Sequence, residues 1–169
     1  MDHEIFLDKM VCLGFSDSTV SWFKSYLQDR PFSVNIGKEY SNPGFLSCGV
    51  PQGSIIGPLI FLMYVNDMAR AVDCDLLLYA DDSCLIFRDK DIEKIDSTLN
   101  KNFNSLCDWF LENKLSIHFG EDKTKSILFG RKKCKSLKKL NIKRGEIKIK
   151  HHSMVTYLGC VLDENLSGE

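Results

Sequence analysis

Apolar residues recur along this chain at two rhythms, and the switches between them outline its elements. Between Asp91 and about Asn113, Ile92, Ile95, Leu99, Phe103, Leu106 and Phe110 return every three or four residues while polar residues fill the other side, which predicts an amphipathic helix. Asp2 can cap a short helix that runs to about Leu13 and ends at Gly14. Ser16 opens a second helix, about Asp17 to Leu27, with Val20, Phe23 and Leu27 on one face, and Arg30-Pro31 closes it. Phe32, Val34 and Ile36 then alternate, the Gly37-Lys38 region turns, and Phe45 to Val50 runs extended, the pattern of a β-hairpin. From Pro58 an apolar helix is predicted to about Ala71, and its uniform apolarity implies burial on several sides.

In the second half, Asp75 to Tyr79 and Ser83 to Phe87 read as strands flanking the tight connection Ala80-Asp81-Asp82. Thr124 to Phe129, Asn141 to Lys150 with a turn at Arg144-Gly145, and Val155 to Leu162 supply three or four more. Helices and hairpins mixed without regular strand-helix alternation favour an α+β fold, an antiparallel sheet covered by helices on one face. At 169 residues the chain has room for one domain with a core. Its 44% hydrophobic and 27% charged content excludes a disordered, collagen-like or coiled-coil chain. Trp22, Trp109 and the phenylalanines read as core residues.

Charge changes this picture at one place. Residues 131 to 150 hold ten Lys or Arg, Arg131, Lys132, Lys133, Lys135, Lys138, Lys139, Lys143, Arg144, Lys148 and Lys150, against the single acid Glu146. Such a block suits a polyanionic partner, and it equally suits a solvated loop. The seven cysteines form no C-x-x-C pair and mostly sit in apolar stretches, which predicts buried free thiols of an intracellular protein. The longest apolar run, Ile55 to Val65, is interrupted by Gly57 and Pro58 and predicts core, not a membrane span; no secretory signal pattern opens the sequence. His151-His152, adjacent and without partner ligands in sequence, reads as an exposed turn.

The chemistry centres on Asp81 and Asp82. Adjacent carboxylates repel, and each wants water or a cation. Mg²⁺ accepts carboxylate oxygens and leaves places for substrate phosphates, so an Asp-Asp tip suits phosphoryl transfer; in many turns the same pair serves only local hydrogen bonding. Here the tip is approached by Leu76-Leu77-Leu78-Tyr79 and left through Leu85-Ile86-Phe87, more apolar anchoring than a solvated turn needs. Upstream lies Gly49-Val50-Pro51-Gln52-Gly53-Ser54, where glycines allow close backbone approach to a ligand and Gln52 offers an amide to a base, ribose or phosphate.

The order GVPQGS, GPLIFLMYVND, YADD, WFLENKLSIHFGEDKTKSILF and VTYLGCVLDENLS resembles the reverse transcriptase family, most closely that of non-LTR (LINE-type) retrotransposons, from Asp2 to about Asn165. The resemblance implies a polymerase palm, a small antiparallel sheet backed by helices. It implies that carboxylates hold two Mg²⁺ (or Mn²⁺) ions and join a DNA primer to a dNTP on an RNA template. By it Asp81 is the principal metal ligand of the YADD motif and Asp82 the weaker one. Pro51, Gln52 and Gly53 resemble the segment beneath the incoming nucleotide and template. Lys123 resembles a lysine contacting the triphosphate, or it is a solvated loop lysine. Tyr157, Leu158 and Gly159 resemble the hairpin that grips the primer, although Tyr157-Leu158 also fits a core strand.

A third carboxylate of the family comes from a strand just before the segment resembling Asp2-His3-Glu4-Ile5, and Asp2 itself does not match it. The resemblance therefore predicts that residues 1 to 169 form a piece of one reverse transcriptase domain, a central palm fragment without the first catalytic-Asp strand, fingers or thumb. Little or no activity is expected of it alone. The alternative is a non-catalytic nucleic-acid-binding remnant that uses the basic segment 131 to 150.

Overall fold

The computed structural model describes residues 1–120, 123–130 and 140–167. They divide into two compact units, Met1–Met68 with Leu111–Leu115, and Ala69–Phe110 with Ser116–Glu169.

The first unit is built on α1 (His3–Cys12), α2 (Asp17–Leu27) and α3 (Gly57–Val65). The Asp2 carboxylate accepts the Glu4 and Ile5 N–H groups at 3.1 Å each, satisfying donors that the first turn cannot pair internally. Gly14, at φ +84°, ends α1, and the next N–H, of Phe15, returns to the Met10 carbonyl at 3.1 Å. Ser16 caps α2 by accepting the Thr19 N–H. Phe6, Met10, Leu27, Ile60, Tyr64, Val65 and Met68 are buried, and Phe6 meets Phe23 edge-on at 5.7 Å. The Tyr64 ring is fully buried, and its hydroxyl donates to the Asn113 carbonyl at 2.6 Å while accepting the Asp2 N–H at 3.3 Å. The Lys9 ammonium donates to the Tyr64 carbonyl at 2.7 Å and to the Asp67 carboxylate at 2.6 Å.

Three expectations for this unit need correction. The apolar helix stops at Val65 and a 3₁₀ turn, Met68–Ala71, follows. Its buried residues Gly57, Ile60 and Tyr64 share one face, so Leu59 and Leu62 are exposed despite the uniform apolarity. The hairpin forms, but β1 (Pro31–Phe32) pairs with β4 (Gly44–Phe45) and β2 (Asn35–Ile36) with β3 (Glu39–Tyr40). The two-residue turn at Gly37-Lys38 pairs the arms back at once, and residues 46–50 join no ladder. Trp22 is 56% exposed because it lies off the Val20–Phe23–Leu27 face, and it stacks on Tyr26 at 5.6 Å; Phe32 and Phe45 are exposed as well.

The second unit contains α4 (Ile92–Glu112, except its last two residues) and the ladders β5 (Asp75–Tyr79) with β6 (Asp82–Ile86), β7 (Lys125–Ser126) with β10 (Lys150–His151), β8 (Lys143–Arg144) with β9 (Ile147–Lys148), and β11 (Met154–Tyr157) with β12 (Cys160–Asp163). As its periodicity predicts, α4 buries Ile95, Phe103 and Leu106, with Ile92, Leu99 and Phe110 partly buried, and it buries Trp109 as well. Ile95, Phe103 and Cys107 form a core with Leu140, Ile142 and Ile149, and Leu85, Phe87, Ile117, Phe119 and Leu128 pack against it.

The polar side of α4 is not simply solvated. Asp96, Asn100, Asn104 and Asp108 lie four residues apart; the first three grip the backbone of residues 141–143, and Asp108 holds the Arg144 side chain. Asp96 accepts the Asn141 N–H at 2.6 Å, and Asn100 donates to the Asn141 carbonyl at 3.0 Å and accepts the Lys143 N–H at 2.9 Å. Asn104 donates to the Lys143 carbonyl at 3.0 Å and accepts from Arg144, which also pairs with Asp108. Four residues of helix advance about 6 Å and two of strand about 6.6 Å, so side-chain amides on a helix can stand in for a neighbouring strand.

The α+β reading holds, but the described strands form six two-stranded ladders, not one antiparallel sheet, and β7–β10 is parallel. The α4 ladder supplies one physical reason, since it occupies hydrogen-bonding groups of 141 and 143 that a further strand would need. Among the described cysteines only Cys107 is buried, and Cys12, Cys48 and Cys160 are exposed, contrary to the expectation of buried thiols. No helix among the described residues is long and apolar enough to cross a membrane.

Candidate nucleotidyl-transfer site

Asp81 and Asp82 sit at the tip of the β5–β6 hairpin. Tyr79 pairs with Asp82, which leaves Ala80 and Asp81 as a two-residue connection. Asp82 is therefore the first residue of a strand and not part of the turn. Ala80 adopts φ +50°, a left-handed conformation that costs a residue with a Cβ about 1–2 kcal/mol. Both carboxylates are exposed, and neither has a hydrogen bond or ion pair among the described residues. The anchoring is one-sided: Leu85 and Phe87 reach the core, whereas Leu77, Leu78 and Tyr79 are exposed. Partial burial pushes the Cys84 thiol up.

Two carboxylates without competing partners fit part of a hard-cation site. Among the described residues no group of three His, Cys, Asp or Glu converges to complete one.

Tyr157, Leu158 and Gly159 occupy a second hairpin tip in the same unit. Tyr157 pairs with Cys160 across Leu158-Gly159, whose φ values of +49° and +80° are those of a type I′ turn. Leu158 is exposed and Tyr157 half-buried, so Leu158 does not serve as a core strand residue. Lys123 is exposed in a turn that its own N–H closes onto the Gly120 carbonyl at 2.9 Å, just before β7.

Pro51, Gln52 and Gly53 belong to the first unit, in a loop leading into α3. Its entry is fixed by the Gly49 N–H on the Met1 carbonyl at 2.7 Å and by His3 Nε2 at 2.8 Å from the Gly49 carbonyl. Gly53 takes φ +79°, and the Ser54 N–H donates to the Pro51 carbonyl at 3.1 Å. At Gly57 a Cβ would come within 2.9 Å of Ser54 Oγ, a reason for glycine there. Gln52 and Gly53 are exposed.

A family profile described as reverse transcriptase (RNA-dependent DNA polymerase) matches residues 1–162. The chain belongs to the reverse transcriptase family. This reverse transcriptase chain is 29% identical over 154 residues to an RNA-directed DNA polymerase from the mobile element jockey of Drosophila melanogaster. It is 30% identical over 157 residues to a probable RNA-directed DNA polymerase from transposon BS, and 27% over 152 residues to one from transposon X-element, both of the same organism. Each match covers 85% of this chain and 16% of the relative. No solved structure matches. The relatives are polymerases of mobile elements, as the motif order implied.

Other expectations fared differently. His151 lies in β10 and both it and His152 are half-buried, so they are not an exposed turn; the His152 N–H donates to the Ser126 carbonyl at 2.8 Å. Of the basic segment, Arg131 to Lys139 lie outside the described residues, Lys143, Lys148 and Lys150 are exposed, and Arg144 is half-buried beside Asp108. The gripping role of Asp96, Asn100 and Asn104 escaped the sequence reading, although their four-residue spacing was a visible signal.

Proposed function

We propose that this chain forms part of the palm of an RNA-directed DNA polymerase, with RNA template, DNA primer and dNTP as its substrates. The observation that carries the reading is the pair of unpartnered carboxylates, Asp81 and Asp82, at a two-residue hairpin tip in a chain whose residues 1–162 match the reverse transcriptase family. Asp81 in the turn is the principal ligand for Mg²⁺ or Mn²⁺, and Asp82 assists. A pair of such ions supplies stabilisation of the attacking and leaving oxygens in nucleotidyl transfer. Pro51, Gln52 and Gly53 support nucleotide and template through an exposed amide and backbone without Cβ hindrance at Gly53. Lys123 presents a cation to the triphosphate, and the Tyr157–Gly159 tip bears on the primer.

The chain spans 16% of the length of the relatives it matches, and the third carboxylate of the site comes from outside it in this reading. The isolated chain is thus expected to bind metal weakly and to extend no primer. Primer extension on an RNA template, using a longer protein that contains this chain, tests the assignment. Activity should vanish on Asp81→Asn, which keeps the shape and removes the charge. Full activity in that variant, or clear extension by the 169 residues alone, sinks the reading.

A further inference from the structure

Strand register places four lysines on one face of the second unit. Lys143 stands opposite Lys148 in the β8–β9 ladder, and Lys150 stands opposite Lys125 in the β10–β7 ladder. Lys148 and Lys150 flank the buried Ile149, so they point to the same side, away from the core that Ile142 and Ile149 join. All four are exposed. Like charges directly opposite each other destabilise a ladder, and here that arrangement occurs twice in succession. Two other lysines of the unit are paired with carboxylates, Lys94 with Asp89 at 2.6 Å and Lys101 with Asp73 at 2.7 Å. Among the described residues no carboxylate pairs with Lys125, Lys143 or Lys148. The backbone beneath Lys143 is gripped by Asn100 and Asn104, which fixes where this charge is presented.

We propose that Lys125, Lys143, Lys148 and Lys150 form a binding stripe for the sugar-phosphate backbone of a nucleic acid. The proposal rests on the reverse transcriptase reading for its choice of polyanion. A linear polyanion relieves repulsion along the whole stripe at once, which a single small anion would do at only one pair. The face offers lysines at successive register positions and not the apolar side chains that insert into an interfacial lipid layer. Such contact is blind to sequence, because phosphates carry no base identity.

The test uses the 169-residue chain and a fluorescent RNA–DNA hybrid, with affinity read by anisotropy over a series of KCl concentrations. Each phosphate neutralised contributes a slope of about −0.9 in log K against log salt, so replacing all four lysines with Gln should reduce the slope by about 3–4. Lys94→Gln with Lys101→Gln should leave it unchanged. If the fourfold variant does not fold, the single replacements decide, each expected to lower the slope by about 0.9. An unchanged slope in folded variants overturns the proposal, as does an equal loss in the Lys94 and Lys101 control. Binding to phosphatidylserine vesicles with none to the hybrid overturns it in favour of a membrane surface. Loss of extension on Asp81→Asn in the longer protein, together with an unchanged slope, would leave the polymerase reading standing and remove only the stripe.

Discussion

Removing a single oxygen atom from the middle of the first unit, by Tyr64→Phe, tests how its helices are tied together. The ring is fully buried and phenylalanine refills its volume, so the change deletes only hydrogen bonds. The short one, 2.6 Å to the Asn113 carbonyl, is worth about 1–1.5 kcal/mol, and the long one, 3.3 Å from the Asp2 N–H, about 0.5 kcal/mol. The expected loss is about 1.5–2 kcal/mol, or a fall in Tm of about 3–8 °C for a chain of this size. Urea titration followed by circular dichroism, with a thermal melt in parallel, measures it. Tyr26→Phe serves as the comparison, because the Tyr26 hydroxyl has no hydrogen bond among the described residues. Burial also pushes the Tyr64 phenol above its usual value, so the folded state favours the protonated form. That contribution is complete below about pH 10 and is lost as pH rises through the raised value. Tyr64→Phe should therefore flatten the alkaline limb of the stability curve. A variant within about 0.5 kcal/mol of the parent, with the alkaline limb intact, would refute the accounting.

Three further outcomes are expected. Ala80→Gly should raise stability by about 0.5–1 kcal/mol, since it removes the Cβ at φ +50° at some cost in unfolded-chain entropy; a lowered Tm would show that this alanine is not strained. Asn100→Ala should speed hydrogen exchange of the Lys143 amide about fivefold, matching a loss of about 1 kcal/mol locally, while amides in β11 and β12 keep their rates. The Asp2 carboxyl is held below its usual range, first by the hydrogen bond from Lys114 at 2.7 Å and then by the Ile5 N–H, so its contribution is present above the ordinary carboxylate pKa and lost as pH falls through the lowered one. Lys114→Gln should shift that acid limb toward higher pH, and an unmoved limb would remove the ion pair from the account.

The helices were legible because their signals are local. Asp2, Ser16 and Asp91 cap where side-chain chemistry dictates, Gly14 stops α1 through its own φ, and the spacing from Ile92 to Phe110 needs no partner to be read. The hairpin tip at Ala80-Asp81 was likewise readable, and with it the position of the carboxylate pair, whereas Val155 to Leu162 read as strand and the turn at Leu158-Gly159 was signalled only by the family resemblance. What failed depends on other elements. Leu59 and Leu62 are as apolar as Ile60, and nothing in their identity tells which side a neighbouring helix covers. The assembly of strands was illegible for a related reason: short strands pair with whatever presents matching donors and acceptors, and for residues 141 and 143 that was a row of Asp and Asn side chains on a helix. Lys125 joins Lys150 only through a parallel ladder closed across 24 residues of sequence, a pairing no local pattern announces.

The grip of α4 on residues 141 and 143 divides mutational freedom unequally between the two sides. On the helix, identity matters, because Asp96, Asn100 and Asn104 act through their side-chain atoms. At residues 141 and 143 only the main chain is held, and any residue except proline, which lacks the N–H, supplies the same groups. Position 143 can therefore change charge in one step without disturbing its support. Divergence among related sequences can retune the electrostatics of this surface while the protein beneath it stays the same, an arrangement that separates selection for foldability from selection on what the surface meets.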